Sequence, residues 1–180
     1  MTRFGIAALV LLAASATARA DDVWHDPTGA FTLTINTRAW ETVPADTPGV
    51  MLQLKPRFTA GYSCDVQQQP LSAGSENAPQ AQFNAMMEST TREQTQAAMG
   101  KETIDAFAVS PKDGVSVVRA TSYSGDEPGA IVHTSVIFVA KGAGPAATSR
   151  VACVARKSAS AADQALMDKW FASLAFTPPR

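Results

Sequence analysis

The chain has 180 residues, of which 46% are hydrophobic and 17% are charged. This size and composition are typical of one globular domain. The formal net charge of −1 excludes the extended basic surface that nucleic-acid binding usually needs, and it equally excludes a strongly cationic membrane-surface protein. No motif specifies a reaction, so the informative features concern compartment, fold and excluded chemistries.

The first twenty residues have the order of a secretory signal peptide. Arg3 supplies positive charge, residues 4–14 are apolar, and Ala18-Arg19-Ala20 places small residues at the −3 and −1 positions. The apolar run is shorter than the roughly 20 residues that a membrane-spanning helix needs, and no cysteine follows it as a lipid attachment site. We expect cleavage between Ala20 and Asp21, which leaves one domain over residues 21–180, in the periplasm or secreted, without a membrane anchor.

Strand-like alternation of apolar and polar residues dominates the first half of the remaining chain. A loop rich in Ser, Gly, Pro and Asn follows, and then a stretch without Gly or Pro that has helical spacing and a stop at Gly100. The predicted elements are strands at Phe31–Ile35, Met51–Lys55 and Tyr62–Gln68, a loop at Gln69–Ala78, and one helix from Pro79 to about Ala98.

The second half predicts an antiparallel meander that ends in a helix. Turn sequences rich in Gly, Asp and Pro separate its four strand-like runs. Ser160 is a predicted N-cap, and a broad apolar stripe from Leu166 to Leu174 follows it. The four runs are Glu102–Val109, Val115–Ser124, Ile131–Ala140 and Thr148–Arg156. The composite is an α+β domain, with an antiparallel sheet of about six or seven strands and two main helices.

The two cysteines, Cys64 and Cys153, predict a disulfide, because the compartments that exported proteins enter are oxidising. Each cysteine lies in a strand-like run whose neighbours two positions away are apolar, so both thiols would point inward. In the chain-entropy model a bridge closing so long a loop stabilises by roughly 4–5 kcal/mol.

One stretch resembles a known family. Asp26-Pro27-Thr28-Gly29-Ala30-Phe31-Thr32-Leu33, followed by Arg38-Ala39-Trp40, is similar to the D-x-x-G-x-F-x-L … P-x-x-W opening of PsbP-like domains, although Asn36 stands where Pro is common. The group includes the PsbP subunit of photosystem II, a nuclear import factor that binds Ran, and DcrB-type bacterial envelope proteins. The resemblance covers most of residues 23–177, including a closing helix at 161–176. It implies an α/β/α sandwich that binds a partner and has no common catalytic residue.

Two arrangements of reactive residues are open to a chemical interpretation. Cys64 as a nucleophile would need a base, and the chain offers His25 and His133. His133 lies in an apolar run, where a hydrogen-bonded structural histidine is the commoner case. The sequence Gly61-Tyr62-Ser63-Cys64-Asp65 departs from a G-x-S-x-G nucleophile elbow at its last position.

The sequence also gives little support for a metal site, a catalytic carboxylate pair or a phosphate-binding site. His25 lies close to Asp21, Asp22 and Asp26, but cleavage after Ala20 would place this histidine fifth, whereas an amino-terminal copper or nickel site needs it third. Asp126-Glu127 is typical of a solvated hairpin tip, and no phosphate-binding glycine loop is present. The methionines Met86, Met87 and Met99 are typical of a helix core. We expect no metal and no cofactor.

Two hypotheses for function follow. The first is an exported, non-catalytic binding or accessory module for a protein or a small hydrophobic partner, recognised by the sheet face or by the loops at 69–79 and 125–130. The second is an enzyme that uses Cys64 and His133. The first predicts that no single polar substitution abolishes function, while changes to exposed apolar residues weaken capture of the partner. The second predicts a thiol that reacts in the native state and is lost in Cys64→Ala.

Overall fold

The structure is a computed structural model that describes residues 21–59, 61–125 and 130–178. The predicted signal peptide with Ala20, and the predicted hairpin tip at Asp126-Glu127, lie outside the described residues. In the described part of the chain, no helix is both long enough and apolar enough to cross a membrane.

Ten strands and three helices make up the described residues. In chain order they are β1 (Asp22–His25), β2 (Phe31–Ile35), β3 (Trp40–Val43), β4 (Val50–Pro56), β5 (Tyr62–Pro70), α1 (Gln80–Glu88), α2 (Arg92–Met99), β6 (Thr103–Lys112), β7 (Val115–Ser124), β8 (Ile131–Ala140), β9 (Ala147–Arg156), α3 (Ala161–Ala172) and β10 (Ala175–Phe176).

Seven strands form one antiparallel sheet in the order β3-β4-β5-β9-β8-β7-β6. Strands β6 to β9 are the predicted meander, and β9 then pairs with β5 along the whole length of both strands, from Tyr62 opposite Ala155 to Pro70 opposite Ala147. This ladder joins the two halves of the chain at the centre of the sheet. The fold is α+β, as the sequence predicts.

The two faces of the large sheet are covered differently. On the face called inner here, α3 and a second sheet, β1-β2-β10, pack over β3, β4, β5, β9 and β8. Phe31 from the small sheet meets Phe138 from β8 edge to face at 5.0 Å between ring centroids, and Trp40 on β3 lies 6.4 Å from Trp170 on α3. The opposite, outer face carries α1 and α2, with Phe83 and Met87 of α1 buried against Val118 and Val139.

The helices differ from the prediction in two places. The single helix predicted from Pro79 to Ala98 is wrong, because it is broken after Glu88. Thr91 caps a new helix by accepting the backbone N–H of Gln94, whose side chain in turn accepts the backbone N–H of Thr91. The expected closing helix at 161–176 is also too long, since α3 ends at Ala172 and β10 then joins the small sheet. The fold therefore has three helices where two were predicted.

Candidate binding site

A groove lies between α3 and the inner face of the large sheet. Two adjoining cavities of about 270 Å³ and about 600 Å³ share Arg119, Asp168 and Phe171. The groove is called the α3 groove below, and it has a floor of strand residues and a wall of helix residues. The floor includes Val117, Thr121, Val132, Thr134 and Val136, and the wall includes Gln164, Met167, Asp168 and Phe171.

The groove is open because α3 is too small to cover the sheet. A helix of 12 residues is about 18 Å long, whereas strands of ten residues span about 33 Å. The buried residues Trp170 and Phe171 belong to the main core, while Ala106 and Ala108 on β6 remain exposed. The part of the inner face formed by β6 and β7 is therefore accessible beside the helix.

Several cations line the α3 groove, namely Lys112, Arg119, Arg156 and Lys157. Arg119 is the one that both cavities share. Its Nη2 lies 3.2 Å from Oδ1 of Asp168, and both side chains are at least half exposed. The guanidinium also lies 5.5 Å from the centre of the Phe171 ring. An exposed ion pair of this kind contributes about 0–1 kcal/mol, so an anionic group of a ligand could replace Asp168 at little cost. The groove thus combines a floor of valine and threonine side chains with a cation, Arg119, beside the Phe171 ring.

A second accessible surface lies at the end of the large sheet where β4, β7 and β9 end and β5 and β8 begin. Phe58 is 86% exposed in the β4–β5 connection, and Tyr123 and Ile131 are also exposed. The register places Tyr123 opposite Val132, in the same row of the sheet as Tyr62. Phe58, Tyr123 and Ile131, called the apolar end below, are large apolar or aromatic side chains exposed at this same end of the sheet.

The structure separates Cys64 from His133. Cys64 is joined to Cys153 directly across β5 and β9, and both residues are buried in the main core. His133 is the neighbour of Thr134, which pairs with Cys153, so its side chain points to the opposite, outer face. The sulfur is bonded and faces away from the histidine, and the predicted Cys64–His133 catalytic pair is wrong.

His133 instead belongs to a polar group on the outer face. Its Nδ1 lies 2.6 Å from Oε1 of Glu102, and the hydroxyl of Ser122 donates to Oε2 of the same carboxylate at 2.5 Å. In a nucleophile–base pair the hydroxyl must reach the imidazole. Here both groups bind the carboxylate, so the arrangement ties β8 and β7 to the segment before β6 and is structural.

Asp65 lies on the same outer face. Its Oδ1 is buried and has no hydrogen-bond partner among the described residues. Burial raises the pKa of this carboxyl above its ordinary value, and the opposing attractions of Arg150 and then His133 are weaker. The fold therefore favours the neutral, protonated form of the Asp65 carboxyl more than the unfolded chain does. We found no reacting partner for it in the described part of the chain.

The acidic residues near His25 do not form a metal centre. Asp26 is 3% exposed, and its Oδ2 accepts hydrogen bonds from the backbone of Thr28 and Ala30 as well as from the Thr28 hydroxyl. Its Oδ1 accepts from Gln68 at 2.6 Å. The carboxylate therefore holds the turn before β2. No group of three or more metal-ligating side chains occurs within residues 21–59, 61–125 and 130–178.

Neither a family model nor a curated protein matches the chain. Solved structures of several proteins share its fold. CyanoP, the cyanobacterial PsbP of Synechocystis sp. PCC 6803, has a TM-score of 0.52 and 12% identity, covering 93% of this chain and 99% of that one. The fold is PsbP-like. LpqN of Mycobacterium tuberculosis, a protein involved in cell envelope biogenesis, has a TM-score of 0.52 and 9% identity, covering 88% and 91%.

The third structure, from Bacteroides thetaiotaomicron VPI-5482, has a TM-score of 0.51 and 12% identity over 87% of this chain. The present chain spans about half of its length, 48%. Identities this low establish the architecture of the PsbP-like domain and transfer no residue role. The candidate site therefore rests on this chain's own geometry.

Sequence reasoning missed the residues that shape the α3 groove. Arg119 and Asp168 are 49 positions apart, and nothing local indicates that they meet. The loop predicted as a binding segment at 69–79 lies at the far end of the sheet, where the backbone N–H of Ala146 donates to the carbonyl of Glu76 at 3.3 Å. Most of the second predicted loop, at 125–130, lies outside the described residues, but its flanks Tyr123 and Ile131 belong to the apolar end.

Proposed function

We propose that this PsbP-like domain is an exported, non-catalytic binding module whose α3 groove takes a small hydrophobic ligand with a negatively charged end. The observation that carries the proposal is the groove itself, an open channel with a floor of valine and threonine side chains beside Arg119. Arg119 is held by one weak, exposed ion pair. Ligand pockets commonly combine apolar walls with a few polar groups that fix orientation.

Two observations support export to an envelope compartment. The Cys64–Cys153 disulfide suits an oxidising compartment, and the sequence before Asp21 has the order of a signal peptide. LpqN, which shares the fold, is described as involved in cell envelope biogenesis. We extend an envelope location, and no more specific role, to this chain.

Export and disulfide formation are tested together by the intact mass of the exported protein after alkylation without reduction. A mass that begins at Asp21 and carries no alkyl group is expected. Two added alkyl groups would contradict the disulfide and reopen a thiol-dependent activity. A mass that retains the first twenty residues would contradict cleavage.

Ligand binding is tested by calorimetric titration with 1-anilinonaphthalene-8-sulfonate, which has an apolar body and one negative charge. Thr121→Trp should fill the floor of the groove, and Arg119→Gln should remove the cation that lies beside the Phe171 ring. Each change is expected to weaken binding at least fivefold. Thr42→Trp is the matched control, because Thr42 is exposed on β3, four strands away from the groove in the sheet order. No binding to the native protein, or equal affinities for the two tryptophan variants, would reject the proposal.

The apolar end favours a protein partner as a second candidate. Phe58 is 86% exposed, so its aromatic ring is available to a partner at this end of the sheet. A photoreactive amino acid at position 58 should cross-link a defined partner in the cell envelope, and Ile131→Ser should abolish that product. Val23→Ser, which changes an exposed apolar residue of the small sheet, should leave it unchanged. Equal cross-linking in all three backgrounds would exclude a specific contact.

A further inference from the structure

Strand β6 forms one edge of the large sheet and runs for ten residues. The other edge strand, β3, has only four. Long exposed edges are unusual, because their unpaired N–H and C=O groups invite pairing with another chain. The edge of β6 is therefore the part of this sheet where an additional strand would fit.

Helix α2 closes the first part of this edge. Gln96 accepts the backbone N–H of Ile104 at 3.0 Å and donates to the carbonyl of Glu102, while Arg92 donates to the carbonyl of Ile104 at 2.5 Å. A bulge follows between Ile104 and Ala106. Side chains thus satisfy the outward groups of Ile104, and the strand is free only beyond the bulge.

The hairpin geometry identifies which groups are free. Lys112 and Val115 flank a turn of two residues, and such flanking residues exchange backbone hydrogen bonds with each other. Alternation along the ladder then turns the N–H and C=O groups of Phe107 and Val109 outward. Pro111 is two residues beyond Val109, so the position of its missing N–H also points away from β7, toward the open edge. Proline is tolerated at such a position. No hydrogen bond within the described residues reaches these four groups.

The free segment also lacks the usual protection. Residues 106–110 read Ala-Phe-Ala-Val-Ser and contain no charge. Ala106, Ala108 and Ser110 are exposed, and Phe107 and Val109 are half-buried on the outer face. Edge strands of monomeric proteins commonly carry a lysine, an inward charge or a proline within such a run. Here the proline comes only at position 111.

We propose that β6 pairs antiparallel with β6 of a second copy of this chain, about a two-fold axis at Ala108. Phe107 of each copy then lies opposite Val109 of the other, and the two pairs exchange four backbone hydrogen bonds. All four outward groups are satisfied by this one register. The two sheets become a continuous sheet of fourteen strands.

Two features favour a second copy over another extended segment. The segment is self-complementary, because an aromatic residue meets a β-branched one in both pairs, and such cross-strand pairs are favourable. Finally, a two-fold contact closes after two chains and leaves no further free edge of this kind.

Cross-linking tests the register. The central pair would be a non-hydrogen-bonded pair with Cα atoms about 4.5 Å apart, a separation that a disulfide accommodates. Ala108→Cys in the exported protein, treated with a mild oxidant, should therefore form a disulfide-linked dimer. Ser110→Cys should not do so alone, because the two cysteines would be about 13 Å apart along the strand. A mixture of Ser110→Cys and Ala106→Cys proteins should give the mixed dimer. Absence of the Ala108→Cys dimer, or equal dimer from Ser110→Cys alone, would overturn the register.

Sedimentation equilibrium tests the association itself with two matched lysine variants. Both positions are exposed on the same face, so neither change disturbs the core. Ala108→Lys places two like charges opposite each other and should raise the dimer dissociation constant at least tenfold. Ser110→Lys faces Ala106 of the partner and should change the constant less than twofold. A native protein that stays monomeric at all concentrations, or two variants that behave alike, would overturn the proposal. Both outcomes concern association only, and the separate titration of the native protein decides whether the α3 groove binds a ligand.

Discussion

At the scale of single residues, Asp26 shows how the PsbP-like opening motif works. Its carboxylate serves as the acceptor for the tight turn before β2. It accepts hydrogen bonds from the backbone N–H groups of Thr28 and Ala30 and from the side-chain amide of Gln68 on β5. The motif thus fixes the entry of β2 and links it to the large sheet. Its role is structural, although the acid and the neighbouring His25 suggested metal ligands at first sight.

Removing this carboxylate should destabilise the fold. Asp26→Ala leaves buried donors without an acceptor, and each such donor costs about 1–3 kcal/mol. We expect urea unfolding to show a loss of about 2–4 kcal/mol in the free energy of unfolding. Asp26→Asn, which keeps one acceptor oxygen, should lose less. An Asp26→Ala protein as stable as the parent would show that the turn forms without the carboxylate.

Gly142 occupies a position where the chain passes close to the same turn. A Cβ at this position would lie 2.2 Å from the carbonyl oxygen of Thr28, a backbone atom that has little freedom to move. Gly142→Ala should therefore destabilise by about 1–3 kcal/mol, as overpacking usually does. At Gly144 the nearest atom is a side-chain methyl of Thr28 at 3.4 Å, so Gly144→Ala is the tolerated control in the same thermal melt. Similar losses of stability in Gly142→Ala and Gly144→Ala would mean that the close contact with Thr28 is not the cause, and that both positions need the backbone conformations open to glycine.

Asp65 predicts a pH dependence of stability. Burial raises the pKa of this carboxyl, so the folded state holds the proton more tightly than the unfolded state. Its stabilising contribution is present below the unfolded pKa and is lost as the pH rises through the folded one. Asp65→Asn should therefore be more stable than the parent at pH 7, and the difference should shrink on acidification.

Asp163 supplies a control of opposite sign. A hydrogen bond from Ser160 is the main reason that the pKa of this carboxyl is lowered, so its contribution is present above the unfolded pKa and disappears as the pH falls through the folded one. Asp163→Asn should be less stable than the parent at pH 7 and approach it in acid. The measurement is the urea midpoint of the parent and of both variants at several pH values. A range from about pH 3 to about pH 7 covers the titration of carboxyl groups. Parallel curves for the two variants would contradict the assignment.

At the scale of elements, local signals predicted the long strands well and the helices less well. Val115–Ser124 and Ile131–Ala140 were predicted with the bounds that the structure has, because ten-residue runs between Gly-rich turns leave few alternatives. The break after Glu88 was missed, although Thr91-Arg92-Glu93-Gln94 has the spacing of a capping box. Helical spacing continues across that break, so periodicity alone does not detect it.

The short strands and the groove depend on contacts that a local pattern does not contain. β1, β3 and β10 have two to four residues, and they are strands only because a partner lies beside them. The α3 groove similarly depends on where α3 crosses the inner face. Its floor and wall come from different elements, and Arg119 is an ordinary strand arginine until the fold brings Phe171 beneath it.

The start of α3 offers a direct test of one predicted cap. The hydroxyl of Ser160 accepts the backbone N–H of Asp163 at 3.2 Å, as the sequence predicts for an N-cap. Ser160→Ala should cost about 1 kcal/mol of stability, while Ser160→Asp, which retains an acceptor, should cost less. The urea midpoint gives both values, and equal losses would assign the effect to something other than the cap.

At the scale of the whole molecule, the disulfide lies at the centre of the architecture. It joins β5 and β9, the two strands by which the two halves of the chain meet, and it spans 89 positions. Around it the PsbP-like layers assemble, with α3 and the small sheet inside and α1 and α2 outside. The sequence predicted this bond from compartment and alternation, but only the register shows that the cysteines face each other directly.

Replacing both cysteines should lower stability without changing the fold. In the chain-entropy model the double variant Cys64→Ala/Cys153→Ala loses up to about 4–5 kcal/mol, which for a domain of this size corresponds to a melting temperature lower by about 10 °C or more. The strand pairing of β5 and β9 should survive, and circular dichroism should show an unchanged sheet signal. An unaltered melting temperature would mean that the unfolded chain gains no freedom when the bond is removed.

The same bond decides what a single proteolytic cut does to the protein. The ring of chain that it closes contains α1, α2 and β6 to β8, and its connection at residues 71–79 is largely exposed. A cut there leaves both fragments covalently tethered through Cys64 and Cys153. Nicked molecules would migrate as one band without reductant and as two with it, so the chain can lose its continuity and still remain one molecule.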